Sequence, residues 1–316
     1  MRVLTLVAWF LFSGSILAQG YPSKPLKIVV GYPPGGSGDF TTRLIGDELS
    51  KELGVTVVVE NRPGAGGSIA SEFVARSPAD GYTILNQGNH AINRNLYKNL
   101  AYDDRDFIPV CRVATGTTIL VVNNNTPFQS LKELIAYAKA NPGKLSFGSS
   151  GVGAAAHLTT ELFMQTTGVV MVHVPYKGTA PALQDLMGGN IQILVDVPST
   201  LMPQVRGGKI KALGMFSTKR VAGAAEVPTI AEAGGPPIEG STWVLFLAPA
   251  GTPREIVNRM AAETAKAVAS ADIKGRFETI GIEPVGNTPE EAGKFLDDEI
   301  AKWAKVISTA GVKAEQ

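Results

Sequence analysis

The sequence predicts an α/β protein in two lobes, each a mixed or parallel sheet flanked by helices. Short β-branched runs alternate with stretches of helical period, the pattern of strands joined by crossover helices. A strand, a glycine-rich loop and a helix follow one another after Lys27 and again after Lys144. A stretch dense in Pro and Gly, Glu226 to Gly240, then precedes one more strand and a helical tail, which reads as a return crossing between the halves. The length of 316 residues agrees, since roughly 150 residues make a domain with its own core.

In order, Lys27 to Tyr32 is an apolar strand ending at Pro33-Pro34-Gly35-Gly36, and Phe40 to Leu53 has helical spacing through Phe40, Leu44, Ile45, Glu48 and Leu49. Val55 to Val59 is the next strand, followed by a glycine-rich Asn61 to Gly67 and a helix from Ser68 to Arg76. Gly81 to Leu85 and Ile119 to Val122 read as further strands. Asn123-Asn124-Asn125-Thr126-Pro127 is polar and proline-stopped, so we expect it to carry the chain into the second lobe. That lobe starts with a helix from Ser130 to Ala140, a strand from Lys144 to Phe147, a glycine loop from Gly148 to Gly153 and a helix from Ala154 to Thr166. Strands at Met171 to Val174, Ile191 to Val195 and Lys211 to Phe216 follow, with Ala180 to Met187 helical. After the return come a strand at Trp243 to Leu247 and helices at Arg254 to Ala271, Pro289 to Glu299 and Trp303 to Ala310. The expected division is 19–122 with 239–316 as lobe 1 and 123–238 as lobe 2. Such an arrangement leaves a cleft, and crevices outside strand C-termini are where open α/β sheets bind ligands.

Composition narrows the function. The 29 Lys and Arg against 28 Asp and Glu leave a net charge of +1, without the basic excess of a nucleic-acid binder. Cys111 is the single cysteine, and three histidines at 90, 157 and 173 match no metal spacing, so neither a disulfide within the chain nor a metal or other cofactor is expected. Residues 1–18 read as a secretory signal peptide: Arg2, an apolar Val3 to Leu17, then the small Ala18. Export with cleavage near Ala18 into a bacterial periplasm is the expectation.

Two glycine loops are the candidate binding elements. Gly35, Gly36, Ser37, Gly38 and Asp39 lie between strand and helix, where free N–H groups and the helix dipole favour an anion. The competing reading is a tight turn capped by Ser37 or Asp39, and Asp39 suits capping or orienting better than acid catalysis. Ser149, Ser150, Gly151, Val152 and Gly153 repeat the arrangement. Gly151 to Ala156 also fits a dinucleotide fingerprint, but His173-Val174-Pro175-Tyr176-Lys177 downstream offers no acidic residue for a ribose. Ser150 with His157 lacks the nucleophile elbow and a third group, so no catalytic residue is expected; a core imidazole is the plainer role for His157. Lys177 and Gly178 precede a helix, and Asp196 ends an apolar strand where it either accepts a hydrogen bond from a ligand or caps its loop.

Several blocks in order carry a resemblance over nearly the whole exported chain: Gly31-Tyr-Pro-Pro-Gly-Gly-Ser-Gly-Asp39, Glu60-Asn-Arg-Pro-Gly-Ala-Gly-Gly67, Asp80-Gly-Tyr-Thr83, Gly148-Ser-Ser-Gly-Val-Gly153 with His157-Leu158, Val174-Pro-Tyr-Lys-Gly-Thr-Ala-Pro-Ala-Leu183, Val227-Pro-Thr-Ile-Ala-Glu-Ala-Gly234 and Ala248-Pro-Ala-Gly-Thr-Pro253. The chain resembles the periplasmic substrate-binding proteins of tripartite tricarboxylate transporters, the Bug family. The resemblance implies a type II-like periplasmic-binding-protein fold with a hinge, a small carboxylate ligand and membrane permease subunits as partners, in a monomer without catalysis. It implies ligand contacts from Gly35 to Asp39, Ser149 to Gly153, Lys177, Gly178 and Asp196, with Gln87 and Asn89 placed by position. Asp196-Val197-Pro198 departs from the Asp-Asn common in relatives, so their ligand is not carried over. A dinucleotide-dependent oxidoreductase and a sensing receptor without transport stand as the alternatives.

Overall fold

The computed structural model describes residues 20–97 and 99–313. The expected signal peptide lies outside the described residues.

The first half opens with β1 (Leu26–Val30), α1 (Ser37–Leu53), β2 (Val57–Asn61), α2 (Ser68–Ala75), β3 (Thr83–Asn86), α3 (His90–Leu96) and β4 (Phe107–Thr117). The second half runs through β5 (Ile119–Asn123), α4 (Leu131–Ala140), β6 (Ser146–Ser149), α5 (Ala155–Thr167), β7 (Val172–Pro175), α6 (Thr179–Gly188), β8 (Ile193–Asp196), α7 (Pro198–Arg206) and β9 (Ile210–Met215). The chain then returns through β10 (Ser241–Pro249), α8 (Arg254–Ala269), α9 (Ala271–Thr279), β11 (Ile282–Pro284) and α10 (Pro289–Ala310).

Two sheets result, ordered β11-β4-β10-β3-β1-β2 and β7-β6-β8-β5-β9. Both are mixed. β2, β1 and β3 are parallel while β10 runs antiparallel to β3 and β4, and β7, β6 and β8 are parallel while β5 runs antiparallel to β8 and β9. Helices cover both faces, so alternate residues of the central strands feed two cores. On β10, Val244, Phe246 and Ala248 pack on one side and Trp243, Leu245 and Leu247 on the other. On β5, Leu120 and Val122 oppose Ile119 and Val121 in the same way. This two-sided burial explains why these strands read as continuous apolar runs.

The structure corrects the expected division at one place. Ile119–Val122, assigned above to the first lobe, belongs to β5 of the second sheet. Asn123 to Pro127 is a turn rather than a linker: Asn123 Oδ1 accepts from the Asn125 N–H (2.8 Å) and its Nδ2 donates to the Leu186 carbonyl (2.7 Å). The outward crossing is instead made where β4 runs into β5. There the Thr118 N–H donates to the Gly240 carbonyl (3.1 Å), the Phe216 N–H to the Thr118 carbonyl (2.9 Å) and the Gly240 N–H to the Phe216 carbonyl (3.0 Å). Thr117 and Thr118 add hydroxyl bonds to the Phe216 and Gly240 carbonyls (3.1 and 3.0 Å). Outward and return segments are thus tied at one point, the place for a hinge.

A second contact joins the halves. Leu158 of α5 packs into the first half's cluster beside Trp243 and Trp303, and Gln165 Nε2 donates to the Val306 carbonyl of α10 (3.0 Å). β4, the longest strand, was not expected. Pro109, Arg112 and Gly116 break its pattern, and its ladder to β10 shifts register twice, as β-bulges allow. α3 and α7 were also unforeseen; the latter starts with Pro198 at the helix-favoured first position. The expected tail helix Arg254 to Ala271 divides at Ser270, whose hydroxyl caps α9, whereas Pro289 to Ala310 is continuous. No helix among the described residues is long and apolar enough to cross a membrane.

Candidate functional site

A cavity of about 590 Å³ lies between the two sheets and takes its lining from both halves. Four helix N-termini reach it: α1 through Gly36, Ser37 and Gly38, α5 through Ala154, Ala155 and Ala156, α6 through Gly178 and Thr179, and α7 through Val197 and Thr200. The residues preceding these helices are Gly36, Ala154, Gly178 and Val197, and none caps its helix with a side-chain hydrogen bond. The first N–H groups of a helix have no partner inside it, and here no side chain takes their place. Four positive dipole ends facing one cavity favour a negative group there.

The first-half loop is held from behind. The Asp39 carboxylate is buried at 4 % exposure and accepts from the Gly35 N–H (2.9 Å), from Asn61 Nδ2 (2.8 Å) and from Arg43 at two nitrogens (3.1 and 2.9 Å). Burial pulls its pKa upward, but the bonds from Arg43, Gly35 and Asn61 together hold it below the ordinary carboxylate value. Asp39 and Gly35 do not line the cavity, whereas Gly36, Ser37 and Gly38 do. As a brace, Asp39 fixes where the exposed glycines turn.

Tyr32 lies beside that loop and was not among the expected site residues. Its Oη accepts from the Gly88 and Asn89 N–H groups (2.8 and 3.0 Å), which leaves its own hydrogen for an acceptor in the cavity it lines. Burial pushes the phenol up to about 12, against the pull of those two N–H groups, so it is a donor at every physiological pH. Glycine is required at 88, because a Cβ there would stand 2.4 Å from the Trp243 carbonyl oxygen. Asn89 lines the cavity but Gln87 does not. Fully buried Gln87 donates from Nε2 to the Gly66 carbonyl (2.9 Å) and accepts from the Asn89 N–H (3.1 Å), linking the Asn61 to Gly67 loop to the wall.

In the second half, Ser150, Lys177, Gly178 and Asp196 line the cavity, while Ser149, Gly151, Val152, Gly153 and His157 lie behind it. The reason is a stacked imidazole pair. The His157 and His173 rings lie 3.7 Å apart at 11°. His157 Nδ1 accepts from the Gly153 N–H (3.0 Å), and His173 Nε2 lies 2.7 Å from Ser149 Oγ. Burial first, and His157 second, push the His173 pKa down to about 3. The pair supports the loop's inner side, and Gly153 lets Leu96 of α3 pack where a Cβ would sit 2.1 Å from the Leu96 side chain. Gly151 and Gly153, the glycines of the dinucleotide fingerprint, are not among the residues that line the cavity.

Asp196, at 7 % exposure, accepts from the Thr179 hydroxyl (2.6 Å) and from the Val197 N–H (2.7 Å). Burial raises its pKa, and those two bonds oppose the rise. The floor comes from Ala114 and Gly116 of β4, Ser241 to Val244 of β10 and Ile282 of β11. None of these was expected, because the chain's return brings them in from distant sequence. Tyr32 and Thr179 each adjoin a predicted motif, and that adjacency was the available signal. Among the described residues no group of three His, Cys, Asp or Glu is placed to hold a metal.

Comparison with known proteins places this geometry in context. The sequence profile described as tripartite tricarboxylate transporter family receptor matches residues 41–312. A Pseudomonas sp. protein of the UPF0065 group is 39 % identical over all of this chain and 96 % of its own length. A solved R. palustris protein with adipate is 39 % identical with a TM-score of 0.82, covering 93 % of this chain and 99 % of its own. The periplasmic binding protein BugD is 34 % identical with a TM-score of 0.78, covering 93 % of this chain and all of its own. Two mixed sheets tied at a hinge around one cavity are thus the architecture of periplasmic binding proteins, and the chain belongs to the tripartite tricarboxylate transporter receptor family.

Proposed function

We propose that the protein captures a small carboxylate in the cavity between its halves, without chemistry, and presents the closed form to membrane permease subunits. The observation that carries this reading is the convergence of four helix N-termini without side-chain caps on one space. Main-chain donors bind an anion without a buried Arg, whose charge is costly to leave unpaired in the empty state. The ligand meets N–H groups and Tyr32 from the first half and the loops at Ser150 and Gly178 from the second, so it favours the state in which both are near. The adipate carried by the R. palustris relative supports the ligand class. In this reading the protein is exported to the periplasm, is cleaved near Ala18 and acts as a monomer.

Isothermal titration of the purified protein with succinate, citrate, glutamate, nicotinate and terephthalate tests it. Saturable binding of at least one acid is expected; silence across all five would sink the reading. Fluorescence titration with NAD and NADP checks the dinucleotide alternative, and no response is expected because the fingerprint glycines do not line the cavity and no acidic residue follows them for a ribose.

A further inference from the structure

The halves touch along two helices that lie on opposite faces of the second sheet. On one face α5 packs Ala156 and Phe163 against Leu120 and Phe147 of its own half. Its other side meets the first half along its length: Gly153, just before α5, lies against Leu96, fully buried Leu158 packs with Trp243 and Trp303, Thr159 lies against Gly240 of the crossing, and Gln165 bonds the Val306 carbonyl (3.0 Å). On the opposite face α7 packs Leu201 and Met202 against Ile119 and Val121. Its first residue, Pro198, lies 3.2 Å from where a Cβ on Gly281 of the first half would stand, and its last, Arg206, donates to the Gly223 carbonyl (2.7 Å). Gly223 in turn abuts α9, where its Cβ would stand 2.5 Å from the Glu278 carbonyl oxygen, and Lys219 pairs with Glu283 (2.6 Å). The start of α6 is placed differently. Ala182, Leu183 and Leu186 pack within the second half, the Gly178 N–H donates to the Ser150 carbonyl (3.2 Å), and among the described residues no hydrogen bond, ion pair or apolar cluster ties α6 to the first half.

We propose that α5 and α7 are the two bearings on which the halves turn, and that the start of α6 is the jaw that closes over a ligand already seated at α1 and α5. The inference rests on the carboxylate reading above for what the jaw closes on, but the bearings stand on packing alone. Points on a rotation axis keep their place in both bodies. Close-packed contacts do not stretch continuously, and pulling α5 off the first half would expose Leu158 and Trp303 to water. The motion that preserves every contact therefore passes through α5, the crossing at Thr118, Phe216 and Gly240, and the start of α7, from one face of the second sheet to the other. About that axis the uncapped end of α5 keeps its distance from the end of α1, so the two stand ready in the open form. Gly178 and Thr179 swing with the far side of the second half and arrive last, adding the contacts that favour the closed state.

The test measures three distances from one anchor. Exposed Lys51 on α1 is replaced by cysteine and paired in turn with Thr166→Cys on α5, Ala225→Cys beside the α7 contact and Gln184→Cys on α6, all at exposed positions. Cys111 is buried and stays in place without taking the nitroxide label. Each protein is freed of retained ligand by unfolding and refolding, and its label-to-label distances are read by pulsed electron double resonance without and with adipate, succinate or citrate. The α1–α6 distribution is expected to be the broadest of the three in the ligand-free protein and to shorten and narrow with an acid that binds, while the α1–α5 and α1–Ala225 distances stay narrow and unshifted. A distance to Thr166 or Ala225 that spreads or shifts as much as the one to Gln184 would overturn the proposal. So would three narrow, unchanging distances, and acid binding in the titration above would then leave carboxylate capture standing. A broad α1–α6 distribution beside two narrow ones, with silence toward every acid, would uphold the bearings and sink the capture reading.

Discussion

Replacing Asp39 by alanine probes whether the first loop owes its shape to a brace behind it. The variant removes one buried carboxylate and the acceptor for Gly35, Asn61 and Arg43. Bonds to a charged group contribute about 1.5–3 kcal/mol each. The Arg43 side chain is 46 % exposed and still donates to Asn61 Oδ1 (2.6 Å), so water replaces most of its share. Asn61 Nδ2 retains the Tyr32 carbonyl (3.0 Å), and the Gly35 N–H lies in an exposed turn. What remains is about 2–3 kcal/mol of lost stability, at the low end for two charge-assisted bonds. Binding should weaken too, because an unbraced loop must be ordered by the ligand. Two glycines at about 1 kcal/mol each cost about 2 kcal/mol, or roughly thirtyfold in Kd. Urea unfolding and calorimetric titration of wild type, Asp39→Asn and Asp39→Ala measure both, with the Asn variant falling between. The folded-state pKa lies below its unfolded value, so the carboxylate's contribution is full above the ordinary carboxylate range and is lost as pH falls through the folded pKa. An alanine variant within about 0.5 kcal/mol of wild type and with unchanged affinity would refute the brace argument.

Other positions yield further tests. Gly67→Ala places a Cβ 1.6 Å from Gln87 Nε2 at a φ of +89°, so Gln87 must move and release Asn89; a stability loss of about 2 kcal/mol or more is expected in urea unfolding. His173 takes up fewer protons folded than unfolded, so stability is full above its ordinary value of 6.5 and falls as pH drops from there toward about 3. The pH dependence of unfolding should therefore be shallower over that window in His173→Gln, and identical slopes would count against a neutral stacked pair. Gly240→Ala puts a Cβ 2.1 Å from Thr159 at the crossing; ligand-induced closure, read by small-angle scattering, should be impaired, and unchanged closure would show that the crossing tolerates the displacement.

Sequence and tertiary structure contributed differently here. The α/β class, the strand–loop–helix units and the positions of the two glycine loops were legible because they depend on local periodicity and turn chemistry. Gly36, Ser37, Gly38, Ser150, Lys177, Gly178 and Asp196 were drawn from those loops and strand ends, and Asn89 from its position after a strand; all eight reach the cavity wall. Local pattern does not reveal which side of a loop faces the cavity. Asp39, Gln87, Ser149 and His157 belong to the same motifs, yet they support the wall from behind, because their polar atoms bond to neighbouring backbone or side chains. β4 was hidden for a related reason: its Pro109, Arg112 and Gly116 fit a strand only because β10 accommodates two bulges. The hinge and the cavity floor depended wholly on tertiary structure. The bonds of Thr118 to Phe216 and Gly240 and the meeting of Ala114 with Val244 join residues roughly a hundred or more positions apart, and a local pattern carries no information about such a meeting.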